Sequence, residues 1–470
     1  MRLGLAKAGY ERAPLWLKWA YAAIPFPIRM GAAYRTTLAE ILRTEELSRA
    51  ELDALQSRKL GALIGHSYEH VPYYREVMKK EGLTPSDFKT TSDLSKLPLL
   101  TKDAVRRNRK RLIAENWHSS RMYRVTTGGT SGRPLEFLLA NSAWPREWAF
   151  LVALRGLVGY SPMDRMLTLR GVPFPPDQNG RKPIHRLNPM YAELLLSPFS
   201  LTEQSMEEYV SLIEAYKPAF FHGYPSAFEA LARFVEHEGY QERVRGARAL
   251  FAISENLRMD QRRHLEKVFG LRVFSHYGQS ERVIFAGECP WSTDYHIYPQ
   301  YGVTEILDEH GDRVTESGKR GDLVGTSFLS PAMPLIRYST GDSAEYVGSY
   351  CEHCRRDYQI IRHISGRWTQ EMLVAKAGNP ISITALNMHS DVFRNVLQFR
   401  FFQHTPGVAT LKVVAADGFG EMDRRRILDA LAAKVGDQIE FAVEIVSDLP
   451  RTHRGKHQFL EQAIPPSQLD

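Results

Sequence analysis

Nine consecutive residues, Thr126-Thr127-Gly128-Gly129-Thr130-Ser131-Gly132-Arg133-Pro134, include eight that are Thr, Ser, Gly or Pro, and they lie between Val125 and the largely apolar run 135–139. Glycines let a backbone turn tightly and approach an anion, its N–H groups can point inward, and hydroxyls add hydrogen bonds without bulk. The stretch reads as a phosphate cradle with ATP as its guest, an ordinary hairpin turn being the competing explanation. No Gly-Lys-Ser/Thr triplet is present, so a Walker-type loop is disfavoured. Three further polar segments directly follow short apolar runs: His222-Gly223-Tyr224-Pro225, Ser254-Glu255-Asn256, and His276-Tyr277-Gly278-Gln279-Ser280-Glu281. A fourth run ends on Gly341-Asp342, and the polar tail 449–456 presents Lys456 beside Gly455. An ammonium on a flexible loop can bring two anions together and stabilise the transition state between them.

The three cysteines form a separate pattern. Cys351-Glu352-His353-Cys354 is a C-x-x-C pair, and Cys289 lies seven residues before His296. Three thiolates and one imidazole suit tetrahedral Zn²⁺. A structural zinc at Cys289, His296, Cys351 and Cys354 would clamp the strand-rich region 289–354, with His353 as the alternative nitrogen ligand. Three free thiols or a redox pair are the competing explanations.

These residues need elements to hold them. Leu52, Leu55, Leu60, Leu63 and Ile64 recur at helical intervals, so the region from Leu38 to about Arg111 reads as a helical lead-in. Helical spacing resumes over 144–157. Residues 172–198 hold six prolines and Asn179-Gly180, which predicts a long loop. A helix from Thr202 ends at Lys217-Pro218 before the apolar run Ala219-Phe220-Phe221. A second helix over 226–235, a strand over 249–253, a helix over 260–269 and a strand over 271–275 follow. This βαβα order predicts parallel strands in an α/β layer, and ligands bind such sheets at the carboxyl ends of the strands, where the three polar segments fall. From about Tyr301 the pattern changes to strands and turns: a strand over 303–307, a hairpin-like connection, a strand over 323–328, and a strand over 336–342 that ends on Gly341-Asp342. A boundary at Gly366 opens a compact last region with strands over 398–403, 408–414 and 440–446 and a helix over 424–435.

Length and composition limit the options. The 470 residues, 43% hydrophobic and 24% charged, can bury the cores of several domains. The +7 charge is a mild excess, 61 basic against 54 acidic residues, and the densest basic run, 102–111, has no nucleic-acid motif beside it. No nucleic-acid partner is expected. The apolar, aromatic stretch 13–34 is interrupted by Lys18, Pro25, Pro27 and Arg29, so it is too broken to span a membrane and makes a poor signal peptide. It predicts a helix packed on the body, peripheral membrane contact being the alternative. Few cysteines fit a reducing cytoplasm.

In this order the motifs TTGGTSGRP (126–134), HGYPSA (222–227), SENL (254–257), YGQSE (277–281), YSTGD (338–342), SGR (365–367) and PRTHRGK (450–456) resemble those of the adenylate-forming superfamily. The closest resemblance is to its phenylacetate-CoA ligase branch, which includes the CapK-like proteins, and it covers roughly residues 60 to 460. It implies an α/β protein with a large multi-subdomain body over 1–365, of which 1–112 is the helical lead-in, and a small mobile α+β domain over 366–470. It also implies a two-step reaction, in which a carboxylate attacks the α-phosphate of MgATP to give an acyl-adenylate and pyrophosphate, and a nucleophile then takes the acyl group.

By the same resemblance Thr126, Thr127, Gly128, Gly129, Thr130, Ser131 and Gly132 hold phosphates, and Glu281 binds Mg²⁺. Tyr277, with Gly278 and Ser280, flanks the adenine, and Ser254 and Glu255 lie nearby. Asp342 takes the ribose hydroxyls, a bidentate task that suits a carboxylate. Arg367 sits at the ribose and the hinge, and Lys456 reaches the reacting groups. His222, Gly223, Tyr224, Pro225 and His276 line the acyl pocket. The implied partners are a small-molecule carboxylic acid, expected to be aromatic or apolar, and a thiol such as CoA; homodimerisation is left open. The hinge run Gly366-Arg367-Trp368-Thr369-Gln370-Glu371 departs from the superfamily, which usually places an acidic residue where Gln370 stands. This keeps an amine or sugar acceptor in play beside CoA. A nucleotide-binding scaffold without turnover is the alternative from another functional class.

Overall fold

The computed structural model of the chain describes residues 13–126, 135–171, 174, 183–199, 201–366, 372–386, 391–393, 395–449 and 460–464. Two compact units interleave along the sequence. The first comprises Met1–Thr126, Leu135–Ser161 and His276–Arg367; the second comprises Thr127–Pro134, Pro162–Ser275 and Trp368–Asp470.

The first unit starts with helices α1 (Leu15–Ala22), α2 (Phe26–Thr44), α3 (Arg49–His70), α4 (Pro72–Lys80) and α5 (Lys102–Asn108). Ser48 and Glu51 form a capping box that starts α3. Val71-Pro72 ends it, because proline has no N–H to continue the ladder and is well suited to the first position of α4. The antiparallel hairpin of β1 (Met122–Thr126) and β2 (Glu136–Ala140) pairs Thr126 with Glu136, so it brackets the Gly-rich stretch, and α6 (Ala143–Gly156) follows. The expected packing of 13–34 on the body holds in part: α2 buries Phe26 and Tyr34, with Phe26 against Trp148 of α6, whereas Ala22 is the one buried residue of α1.

The second unit is built from β3 (Met166–Leu169), β4 (His185–Asn188), β5 (Glu193–Leu196), α7 (Glu203–Tyr216), β6 (Phe220–Gly223), α8 (Pro225–Glu238), α9 (Gln241–Val244), β7 (Ala249–Ala252), α10 (Met259–Phe269) and the start of β8 (Arg272–Gly278). Strands run in the order β8-β7-β6-β3-β5-β4, all pairs being parallel except β4 with β5. Every residue of β3, β5, β6 and β7 is buried, the pattern of parallel strands covered on both faces. Left-handed residues close the helices, Lys217 after α7, Gly239 after α8 and Gly270 after α10. Phe221, Phe228 and Phe269 meet edge to face or tilted at 5.3 to 6.0 Å, each burial contributing about 2–3 kcal/mol.

The loop predicted over 172–198 is in part structured. It carries β5 and, at the edge of the sheet, β4, and β3 precedes it. Proline signals outweigh the three-residue apolar run 194–196 in sequence, whereas in the fold the neighbouring strands supply the hydrogen bonds that stabilise Glu193–Leu196.

Back in the first unit, His276–Gly278 of β8 pair with β9 (Phe285–Cys289). They join β10 (Ser292–Ile297), β11 (Gly302–Leu307), β12 (Arg320–Ser327), β13 (Tyr338–Gly348) and β14 (Ile360–Ser365) in the order β11-β12-β13-β14-β10-β9-β8. The strand expected to end at Gly341-Asp342 instead begins at Tyr338 and runs on to Gly348. Gly341 takes φ +81° where the register against β12 slips, so the expected strand end is a bulge. The second unit is completed by β15 (Met372–Val374), β16 (Pro380–Ser382), α11 (Ile383–Leu386), β17 (Val396–Thr405), β18 (Val408–Ala415), α12 (Glu421–Val435), β19 (Glu440–Ile445) and β20 (Leu460–Gln462). The last four strands form a sheet in the order β19-β18-β17-β20. One apolar core runs through both stretches of this unit, from Leu167 and Phe221 to Phe399, Ile427 and Leu460. The fold is of the expected α/β class, with an α+β C-terminal segment.

Candidate active site

In the first unit the end of β8 and the bulge of β13 bring two carboxylates under control. Tyr277 donates its hydroxyl to Asp342 Oδ2 at 2.8 Å, and Tyr338 donates to Glu281 Oε1 at 2.7 Å. Two motifs some sixty residues apart are thus clasped twice, each tyrosine holding the acid of the other segment. Burial, with the Asp342 carboxylate beside it, raises the Tyr277 phenol well above its ordinary value, so it stays a donor. The Asp342 N–H donates to Thr340 Oγ1 at 3.1 Å, which fixes the bulge. Glu281 is buried at the head of a tight turn in which Arg282 takes φ +55°, its N–H donating to the Gln279 carbonyl and its own carbonyl accepting from Ser327. Gly278 is exposed and Ser280 half-buried on the same connection.

Behind that turn Tyr301 donates to Glu147 Oε2 at 2.6 Å, and the Arg282 guanidinium lies over the Trp144 ring at 5.6 Å. Burial raises the Glu147 carboxyl while Arg282 opposes the shift. His276, against Phe285, is pushed down to about 3 by burial, with Arg155 adding to the effect, so its imidazole is neutral at physiological pH.

In the second unit the carboxyl ends of β6 and β7 gather their own set. Gly223 sits where a Cβ would lie 2.0 Å from the Leu169 carbonyl oxygen, and glycine is the one residue that fits. This close approach lets the Tyr224 N–H donate to that oxygen at 2.9 Å and seats Pro225 at the first position of α8. The buried Tyr224 phenol is pushed up to about 12 by desolvation. His222 Nδ1 lies 3.4 Å from Thr168 Oγ1, which donates at 2.7 Å to the buried Glu193. Ser254 takes φ +63° after β7, a strained conformation of the kind found beside ligand sites. It aims Glu255 back at α8, where the backbone N–H and hydroxyl of Ser226 both donate to it at 2.9 Å. Burial raises the Glu255 carboxyl against those donors and Ser382.

Thr126 closes β1, half-buried. Thr127, Gly128, Gly129, Thr130, Ser131, Gly132, Arg367 and Lys456 lie outside the described residues.

The cysteine cluster assembles within the first unit. Ligand atoms of Cys289, His296, Cys351 and Cys354 all lie within 4.8 Å of one another. The β9–β10 hairpin carries the first two across a register slip, and the turn after Cys351, closed by Arg355 at φ +58°, carries the others. A tetrahedral zinc with ~2.3 Å bonds to sulfur separates its ligands by about 3.8 Å, so the cluster is near that size. His296 is 2% exposed, with the backbone of Gly287 and Asp294 beside its ring and no hydrogen bond of good geometry among the described residues, whereas His353 is exposed. The Cys354 thiol beside Cys289 pulls the latter down to about 5, toward thiolate. A buried imidazole gathered with three thiols is a donor set of the kind that holds a tetrahedral metal ion.

Sequence reasoning passed over Tyr338, although it opens the YSTGD motif, and also Ser226, Glu147 and Glu193. Glu193 leaves a trace, a lone acid heading the run Leu194-Leu195-Leu196. Ser226 lies inside the HGYPSA motif, and Glu147 leaves no trace, because its partner Tyr301 lies far away in sequence.

Residues 192–327 match the family described as AMP-binding enzyme. Over 452 residues, 96% of this chain and 98% of the relative, the sequence is 22% identical to Protein CapK of Staphylococcus aureus. Over 408 residues, 83% and 84%, it is 26% identical to phenylacetate-coenzyme A ligase of Escherichia coli. A solved structure of 2-hydroxyisobutyryl-CoA ligase, in complex with 2-HIB-AMP and CoA, superposes with a TM-score of 0.60 at 18% identity, over 90% of this chain and 92% of that one, and shares the fold.

Proposed function

For an enzyme that belongs to the adenylate-forming, AMP-binding superfamily, we propose ATP-dependent activation of a carboxylic acid to an acyl-adenylate, with pyrophosphate as leaving group and transfer of the acyl group to the thiol of CoA. The observation that carries this reading is the double clasp, Tyr277 on Asp342 and Tyr338 on Glu281. Asp342 orients the ribose by accepting from its hydroxyls, and Tyr277 borders the adenine with Gly278 and Ser280. Glu281 holds Mg²⁺, which when bound screens the charge on the departing pyrophosphate. Thr126 to Gly132 cradle the phosphates, Arg367 sits at the hinge, and Lys456 stabilises the meeting of carboxylate and α-phosphate. His222, Gly223, Tyr224, Pro225 and His276 border the acid. The largely apolar strand that carries His222 and Gly223 favours an aromatic or otherwise apolar acid.

Zinc is the structural metal of this reading, held by Cys289, His296, Cys351 and Cys354; for the region 366–470 to act as a lid it would have to loosen the apolar core that it shares with 162–275. The paired thiols suit a reducing cytoplasm.

The test is carboxylate-dependent pyrophosphate release from MgATP across aryl, alkyl and amino acids, each run without acceptor, with CoA and with an amine mixture. An acid that stimulates release and yields a CoA thioester supports the proposal, and Lys456→Ala then loses adenylation while keeping ATP affinity. Turnover with amines alone replaces CoA ligation by amide formation, the reading that Gln370 in place of the usual hinge acid favours. ATP binding with no release for any acid overturns the catalytic reading in favour of a nucleotide-binding scaffold.

A further inference from the structure

The N-terminal helix presents its side chains the wrong way round for a helix in water. At about 100° per residue, Leu15, Trp19, Trp16, Ala20, Leu17 and Tyr21 fan across roughly 240° of α1, and all six are exposed. The remaining arc, which holds the half-buried Lys18 and the buried Ala22, is the covered one. Trp16 is 69% exposed, and the apolar edge continues past α1 through Ile24 to Ile28, itself 61% exposed. A surface helix ordinarily buries its apolar stripe.

This edge is firmly mounted. Arg29 Nε donates to the Ile24 carbonyl at 2.8 Å, and its guanidinium lies 5.6 Å from the Tyr21 ring and 5.3 Å from the Phe26 ring. Phe26 is buried edge-on against Trp148 of α6, also in the first unit, at 5.6 Å. The apolar residues therefore form one continuous, anchored surface.

Charge identifies what covers it. Residues 1–35 hold six basic side chains, Arg2, Lys7, Arg12, Lys18, Arg29 and Arg35, against the single acid Glu11, which is most of the chain's net +7. Tryptophan and tyrosine favour the boundary between headgroups and acyl chains, and clustered basic residues favour anionic lipid. Eight helical residues cover about 12 Å, far short of the ~30 Å hydrocarbon core, and among the described residues no helix is long and apolar enough to cross a membrane. We propose that α1 and the turn into α2 dock the protein on an anionic bilayer, lying in the interface with Leu15, Trp16, Leu17 and Trp19 inserted.

The experiment is co-sedimentation of the full chain with phosphatidylcholine vesicles, with and without about one-third phosphatidylglycerol, compared with Trp16→Ser/Trp19→Ser and, as an independent variant, Ile24→Ser/Ile28→Ser. The parent sediments with anionic vesicles, more weakly at high salt and with neutral vesicles. Each double variant loses about tenfold or more in vesicle affinity, with its circular dichroism and vesicle-free pyrophosphate release unchanged. A parent that stays in solution with anionic vesicles, or variants that bind as well as the parent, overturn the proposal. A vesicle-free dimer that Trp16→Ser/Trp19→Ser dissolves also overturns it and assigns the surface to a second copy of the chain.

Discussion

Gly223→Ala tests whether the close approach of β6 to β3 shapes the acid-binding end of the second unit. The added Cβ would stand 2.0 Å from the Leu169 oxygen, 2.7 Å from its carbon and 3.0 Å from its nitrogen, all backbone atoms that no rotamer change can move aside. Carbon–oxygen contacts ordinarily begin near 3.3 Å, so β6 must retreat by about 1.3 Å. The 2.9 Å hydrogen bond from the Tyr224 N–H to the same oxygen then stretches past bonding range, as does the ladder pairing of Leu169 with Gly223. Two buried backbone bonds left unmade cost about 1–3 kcal/mol each, so about 2–6 kcal/mol is lost, which for a unit of this size lowers the melting temperature by about 10 °C. The comparison is Gly239→Ala at the end of α8, where φ is +73° and no atom lies within 4 Å of a new Cβ. Its cost is conformational alone, about 1–2 kcal/mol. Thermal unfolding followed by circular dichroism, with pyrophosphate release measured at 25 °C, distinguishes the two. A Gly223→Ala protein that melts no lower than Gly239→Ala refutes the argument.

Tyr338→Phe removes a charge-assisted hydrogen bond of about 1.5–3 kcal/mol from Glu281. The Mg²⁺ concentration for half-maximal pyrophosphate release should rise by about tenfold or more, with a smaller change at saturation; an unchanged requirement counts against Glu281 as the Mg²⁺ residue. Purified chain should carry close to one zinc per molecule by elemental analysis, Cys351→Ser should lose it, and chelation should lower the melting temperature; metal-free protein with an unaltered melting curve removes zinc from the account. Burial depresses His276 to about 3 from its ordinary 6.5, so between those values the unfolded chain binds a proton that the folded chain does not. The stability this group contributes is complete above pH 6.5 and falls as pH drops toward 3, by at most about 1.4 kcal/mol per pH unit. His276→Asn should therefore flatten the acid limb of the melting-temperature profile, and an unchanged limb would show that the imidazole is not held neutral.

Much of this was legible because it is local. Helices over 202–216, 226–235 and 260–269 carry their own stripes and stop signals, and the hairpin of β11 and β12 lies in a plain strand-turn-strand rhythm. What escaped depends on partners distant in the chain. Glu193–Leu196 is a strand because β3, earlier in the chain, pairs with it on one side as β4 does on the other. Likewise Gly341-Asp342 looks like the end of a strand, because a bulge is defined by the opposite strand. Spacing makes His296 the expected ligand but leaves His353 as an alternative, and it is the β9–β10 hairpin that brings His296 to the cysteines. The outward apolar face of α1 escaped because periodicity gives the stripe and not the direction it points.

The interleaving of the two units has a consequence for synthesis. Gln56 donates to the Gly302 carbonyl, Tyr74 to that of Pro334, and the Leu100 N–H to that of Arg337. α3 and α4 thus wait for segments made more than two hundred residues later, roughly 10–50 s at typical elongation rates. Through that interval the apolar sides of α3 and α4 have no lasting cover, and a nascent chain in that state is a substrate for holding chaperones. A fragment ending at residue 161 would meet the same condition permanently, so shortened versions of this protein should aggregate even though each helix in them is well formed.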